Sequence, residues 1–248
     1  ANGVVLITTK KGKKDGIQIS VDAYNQFQSK PKEYKLLNAD QFATLTNAEA
    51  AVPGTTFVTF AGYANPSSLT NIDWQNAVYG TGLTQKYDIA LRGGNDKVQT
   101  ATSIGYYSQK GIVLDSYFHR ATLGLNLDYE PIKWLKSSTS AKYSYQQSNN
   151  GFGGQLQNGG GLIQLNELPP NLDDGNKLTN QVKDANGNYG YFNPVYTEIL
   201  SYANPVYSIE TNKTQPMNNF LLANSSLEAT ILPGLKIKTN AGVNMNSY

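Results

Sequence analysis

The chain has 248 residues, with Lys plus Arg 20 against Asp plus Glu 18, and this net charge of +2 offers no electrostatic reason to expect nucleic acid as a partner. Cysteine is absent and His119 is the single histidine, which excludes disulfide scaffolds, thiolate zinc sites and multi-histidine metal centres within these residues. Charged residues make up only 15%, while Gly numbers 23 and Tyr 17 and Asn is abundant, a composition of turns and β-rich surface, not of helical bundles.

In chain order, Asn2-Gly3 supplies a φ > 0 turn before the β-branched run Val4 to Thr9, which is apolar on both faces near its start, as in a strand buried within protein. Lys10, Lys11, Lys13 and Lys14 flank Gly12 and read as a solvated linker, with contact to acidic partners or lipid head groups as the rival reading. Period-2 alternation begins at Ile17. It predicts strands over 17–29, 85–92, 97–108, 118–129, 135–148, 219–231 and 235–248. Ile19, Val21, Ile89, Leu91, Leu123, Leu125, Leu227 and Val243 fall on one face, and Ser20, Asp22, Asn126, Ser140, Lys142 and Asn240 on the other. Asn25 on the apolar side and Tyr24 on the polar side break the pattern of the first strand. No apolar run reaches the about 20 residues of a membrane helix, the best aliphatic run being Val4 to Ile7. A barrel needs apolar residues only at alternate positions and stays open.

The connections alternate in length. Gly93-Gly94-Asn95-Asp96, Glu130 to Trp134 and Leu232-Pro233-Gly234 are short, whereas residues 30–84, 109–117 and 149–218 are longer. In an antiparallel meander every second connection shares a side, so short turns collect on one side and long loops on the other, as in outer-membrane barrels. Within 30–84, Asn38 is placed to cap a helix over 39–51, and Thr70 or Asn71 to start a second one through Trp74 to Tyr79. The stretch 149–218, broken by Gly and Pro, reads as irregular loop with a hairpin near Asp184 to Tyr191. The chain starts at Ala1 without a signal-like segment and its last alternating run stops abruptly, so it reads as a piece of a longer protein.

Catalysis has no candidate. His119 beside Arg120 reads as an interfacial or turn residue, and Asp173-Asp174 has no base or nucleophile nearby. Asp184, Asn186 and Asn188 mimic half of a calcium loop, but Tyr189 and Val195 stand where Gly and Glu are needed, so a turn is the better reading. Tyr189, Tyr191, Phe192, Tyr196, Tyr202 and Tyr207 crowd the second half of the long loop. Such rings can stack on a sugar or pack on a peptide, or they can order the loop against itself or against a lid protein. Trp134, Tyr117, Phe118, Tyr143 and Tyr145 near strand ends read as membrane-interface aromatics.

Several motifs carry a family resemblance. Ala1 to Gly12 (ANGVVLITTKKG) resembles the last plug strand of the SusC/RagA-type TonB-dependent outer-membrane transporters. Asp73-Trp74-Gln75, Leu91 to Lys97 (LRGGNDK), Gly105 to Val113 (GYYSQKGIV) and Phe118-His119-Arg120 are similar to that family's early barrel, in the same order, and Leu232 to Lys236 (LPGLK) to a later turn. The resemblance covers Ala1 to about Tyr145 and resumes from about Asn218. It implies an all-β antiparallel transmembrane barrel: residues 1–14 would end the plug and join it to the wall, and 15–248 would form about seven of the roughly 22 strands that such transporters close. It further implies import of an oligosaccharide or peptide across the outer membrane of a Bacteroidota-type cell, energised by a TonB-ExbB-ExbD complex, with no cofactor. A SusD-like surface lipoprotein would serve as lid, and a dimer of transporter–lipoprotein pairs is permitted. The plug's bulk and its TonB box would lie before Ala1. The alternative is a secreted or surface β-rich module that binds glycans through the loop aromatics.

Overall fold

The computed structural model describes residues 12, 16–54, 61–150, 164–170, 205–206, 209, 213 and 215–248. Among the described residues there are seven strands: β1 (Gln18–Gln28), β2 (Gly82–Gly94), β3 (Val98–Lys110), β4 (Ser116–Ile132), β5 (Leu135–Asn150), β6 (Met217–Leu232) and β7 (Leu235–Ser247). They form one sheet in chain order, each strand antiparallel to its predecessor. All seven expected strands are therefore found, most of them longer than the alternation suggested.

Directly paired residues of antiparallel strands point to the same face, so the register sorts side chains into rows across the sheet. One row runs through Val21, Ile89, Ile104, Leu123, Tyr143, Leu221 and Met245. The next runs through Ile19, Leu91, Thr102, Leu125, Ala141, Ala223 and Val243. This face is uncovered: Ile104 is 59% exposed and Leu123 48%, although both lie on interior strands. Leaving a large aliphatic side chain in water forfeits about 1.5–3 kcal/mol, which a whole face tolerates only against another apolar phase. No second sheet packs on it among the described residues, so a β-sandwich is not the architecture. The opposite face is polar and concave, with Ser20, Lys142, Asn126 and Ser140 lining one hollow and Asn240 another.

The apolar band ends in an ordered way toward the long connections. Above the two aliphatic rows comes a row of Ala23, Tyr87, Tyr106, Ala121 and Tyr145, then one of Asn25, Gln85, Ser108, His119 and Gln147. Gln85 Nε2 donates to Asn25 Oδ1 at 3.1 Å and to the Tyr87 hydroxyl at 3.2 Å. Asn25 is thus no defect of the pattern but a member of the polar row that borders an aromatic girdle. Two expectations need correction. Tyr143 lies one row deeper than the girdle, and Phe118 faces the concave side, edge-on to Tyr107 with ring centroids 5.9 Å apart. Counting from the strand end placed it in the girdle, but its even position in β4 puts it opposite His119.

The short connections lie at residues 95–97, 133–134 and 233–234, and the others at 29–81, 111–115 and 151–216. The segregation by side holds, though the middle loop is far shorter than expected because β3 and β4 extend to Lys110 and from Ser116. At the first turn Asn95 Oδ1 accepts from the backbone N–H groups of Lys97 (2.8 Å) and Val98 (2.9 Å). The other two turns each carry a register shift, between Tyr129 and Ile132 and between Thr230 and Leu232. Extra twist there lets the strands run on to Ile132 and Leu232, past the positions read from sequence as turn. Pro233 pre-sets the first turn dihedral and Gly234 takes φ +87°, as a type II turn requires.

The faces give opposite outcomes for one substitution chemistry. In the full-length protein refolded into detergent, Leu123→Arg on the apolar face lowers barrel stability by about 2–4 kcal/mol. Ser140→Lys on the concave face leaves it unchanged, and urea titration followed by heat-modifiability on gels reads both.

Candidate functional site

Two features lie where a ligand would pass: a cap built from the loop-side connections, and the concave wall beneath it. The cap begins with α1 (Ala39–Ala50), which the expected Asn38 caps. Asn38 Oδ1 accepts from Gln41 N at 2.8 Å and Gln41 Oε1 accepts from Asn38 N at 3.1 Å, a reciprocal capping box. The second helix, α2 (Trp74–Val78), starts later than expected because Asp73 is its cap, its carboxylate accepting from Asn76 N at 3.0 Å. Asn71 instead ties the two helices together, its Oδ1 accepting from Ala39 N at 2.8 Å. A third helix, α3 (Gln164–Glu167), stands in the connection expected to hold irregular loop and a hairpin but no helix.

The buried apolar cluster lies in these loops, not in the sheet. Trp74 and Val78 of α2 meet Leu165 and Leu168 of and beside α3, together with Val206 and Ile209. Trp74 Nε1 donates to the Pro169 carbonyl at 3.0 Å, and Ile72 N to that of Pro170 at 2.6 Å. The short loop 111–115 joins from the other side: Gly80 N donates to Ile112 O at 2.7 Å and Leu114 N to Val78 O at 2.8 Å. The described residues of all three loop-side connections therefore pack together. Gln75, buried, closes it toward the chain start by accepting from Tyr34 N and donating to Tyr34 O, both at 2.9 Å. Burial, with the nearby Tyr34 as second cause, raises the Tyr79 phenol above its ordinary value. Beside Trp74 a cleft of about 490 Å³ opens among Tyr34, Leu37, Asn38, Phe42, Asn71 and Leu168.

On the wall below, one concave-side row crosses Tyr24, Lys86, Tyr107, Arg120 and Gln146. Lys86 Nζ lies 3.6 Å from Asp22 Oδ1, also pairs with Asp88, and sits 5.9 Å above the Tyr24 ring. Arg120 stacks over Tyr107 at 5.6 Å. Tyr24, the other irregularity of the first strand, is thus a partner of Lys86. The hollow around these rows has a volume of about 700 Å³. At its turn end Gly12 touches β3 so closely that a Cβ there would stand 2.5 Å from Thr100 N and 2.8 Å from Gln99 Cβ. His119 lies in the outward polar row, its ring 5.1 Å from that of Tyr117, which is the interfacial place expected of it. Among the described residues no three acidic or His side chains converge as a metal site.

The loop aromatics Tyr189, Tyr191, Phe192, Tyr196, Tyr202 and Tyr207 lie outside the described residues. So do Val4 to Thr9, the four linker lysines, Asp173-Asp174 and the hairpin expected near Asp184 to Tyr191. What the sequence reading missed is the cap core. Its local signal is visible, Trp74 and Val78 at i, i+4 and Leu165 and Leu168 at i, i+3. Nothing local says that these pairs meet.

No protein-family model matches the chain. It is 29% identical over 225 residues to TonB-dependent receptor P26 of Formosa agariphila, covering 89% of this chain and 21% of that protein. Against TonB-dependent receptor SusC of Bacteroides thetaiotaomicron the identity is 25% over 254 residues, covering 98% of this chain and 24% of the receptor. The chain thus spans under a quarter of the length of these curated relatives. Among solved structures, the RagAB peptide importer in its closed-closed state matches with TM-score 0.67 at 18% identity, over 96% of this chain and 29% of that one. A second structure, of the RagAB peptide transporter, gives TM-score 0.66 over the same shares. At that identity the likeness speaks for the fold.

The cap's dependence on one side chain is measurable. Trp74→Ala removes the ring and the Nε1 bond to Pro169, a loss of about 3–5 kcal/mol of local stability. Limited proteolysis of the full-length protein then cuts within 29–81 and 151–216 at least about a hundredfold faster, while the strands remain resistant.

Proposed function

Because the chain belongs to the SusC/RagA type of TonB-dependent outer-membrane receptors, we propose that it builds the first part of the barrel wall of an active importer, with residues 1–14 as the end of the plug and its link to that wall. The observation that carries this reading is the uncovered aliphatic face on interior strands, opposite a polar concave face, in a meander whose long connections share one end. Gly12 supports the division at residue 14: it lies against Gln99 and Thr100 at the turn end of β3, where a chain leaving the lumen for the first strand would pass. The outer edges of β1 and β7 carry no paired strand among the described residues. Further strands of the same wall would satisfy those backbone groups, which lipid cannot.

The cargo is a bulky nutrient, an oligosaccharide or a peptide. A SusD-like lipoprotein covers the mouth and a TonB-ExbB-ExbD complex supplies the energy through the plug. The names of the relatives, and the peptide import stated for RagAB, support this assignment. The long connection carrying Tyr189, Tyr191, Phe192, Tyr196, Tyr202 and Tyr207 leaves the sheet on the cap side, at Asn150, and returns at Met217. On this reading its aromatics touch cargo or lid.

The full-length protein should fractionate with outer membranes, require detergent, and migrate as a heat-modifiable band. Deletion of the host's TonB should abolish growth on the cognate nutrient without removing that band. A soluble product would overturn the reading in favour of a glycan-binding module. Tyr191→Ala with Phe192→Ala removes two stacking faces of about 1 kcal/mol each. Nutrient binding by the full complex then weakens about tenfold or more while assembly is unchanged. Unaltered binding with normal assembly would reduce these two rings to loop packing.

A further inference from the structure

The concave wall holds more cationic charge than its carboxylates neutralise. Lys86 is satisfied by Asp22 and Asp88. Arg92, Arg120 and Lys142 line the same hollow, and among the described residues none of the three has a carboxylate within ion-pair distance. Their heights follow from the register. Arg120 shares the row of Tyr107 and Lys86, near the cap. Lys142 pairs with Gly124, two same-face rows nearer the turns, and Arg92 pairs with Ala101, one row further still. Three row steps of two residues each span about 20 Å along the wall. With the strand spacing included, Arg120 and Lys142 on neighbouring strands stand about 14 Å apart, and Lys142 and Arg92, three strands apart, about 16 Å, within the combined reach of long cationic side chains and an extended ligand. Gly124 leaves the floor beside Lys142 without a side chain, and Ser103, Thr122 and Ser144 offer hydroxyls between the rungs.

Unneutralised cations on a concave, low-dielectric wall focus a positive potential into the lumen. Guanidinium groups bind carboxylate and sulfate oxygens in a planar fork, and a lysine between them acts as a point charge. We propose that Arg120, Lys142 and Arg92 are successive rungs for an anionic cargo, so that this transporter takes up a nutrient bearing carboxylate or sulfate groups and passes it inward along β4, β5 and β2. The proposal rests on the import reading above. The other occupant of such a wall is the plug, whose own carboxylates could meet the same cations.

The test uses the full-length transporter in detergent, titrated calorimetrically with oligogalacturonate, with a dextran sulfate oligomer and with uncharged maltohexaose. At least one charged probe should bind about tenfold or more tighter than the neutral one and lose that advantage at high salt. The carboxylate and sulfate arms tell which anion is preferred. In the variant combining Arg92→Gln, Arg120→Gln and Lys142→Gln the advantage should disappear while maltohexaose binding is unaltered. Equal affinity for charged and neutral probes, or an advantage that survives the triple variant, overturns the proposal. Equal affinities together with new permeability of the variant cells to a large antibiotic also overturn it and assign the cations to the plug. Heat-modifiability and membrane fractionation of the same samples separate the two readings: failure of the unsubstituted barrel to reach the outer membrane condemns the import assignment itself, whereas an assembled importer indifferent to charge condemns only the rungs.

Discussion

In a strand every second side chain shares a face, so a slip of one residue between neighbours would turn an entire set of aliphatic groups from lipid to lumen. Here six consecutive pairings keep their register from the loop end toward the turns, and the only shifts fall beside the turns at residues 133–134 and 233–234. That ladder aligns Val21 with Met245 across the whole sheet. It puts Lys86 level with Arg120, and it gathers three connections at one end. The aliphatic rows, the girdle, the concave wall and the cap are consequences of the same pairing.

The distribution of buried residues inverts the usual arrangement of a globular domain. The sheet contributes little to the apolar core: Ala101 is its sole buried apolar residue among those described. Trp74, Val78, Leu165, Leu168, Val206 and Ile209 bury themselves in the loops. A wall immersed in lipid gains little from burying aliphatic groups in protein, whereas loops standing in water must enclose their own. The cap is the part of this chain that obeys ordinary aqueous folding rules, and the cleft beside Trp74 is held by that rigid unit.

The strands were legible because alternation is a local property: Leu123, Leu125 and Leu127 against Thr122, Gly124 and Asn126 fix both the element and its faces. Asn38 was legible as a cap for the same reason, the box with Gln41 spanning three residues. Where structure and expectation differ, the deciding partner is remote or the side chain's parity outweighs its position along the strand. Nearness to a strand end points Phe118 to the girdle, yet its parity sends it to Tyr107. Local pattern puts the start of α2 at Thr70 or Asn71, because nothing local reveals that Asn71 is engaged by Ala39. The cap core could not be read, since its two halves lie on separate connections.

The hydrogen bond from Trp74 Nε1 to Pro169 O spans 95 residues of sequence. Until β5 has been added and the following connection has come back over the mouth, the apolar side of α2 has nothing to cover it. Closing so wide a loop carries an entropic cost that no short-range contact offsets early. The hairpins β2–β3, β3–β4, β4–β5 and β6–β7 can therefore form locally while the cap waits, β1 and β6 joining across the two long connections, and the mouth is organised last. An assembly intermediate of this region would be a membrane-competent sheet with an open, unstructured rim. A protease acting in the interval before it closes would meet that rim, not the strands.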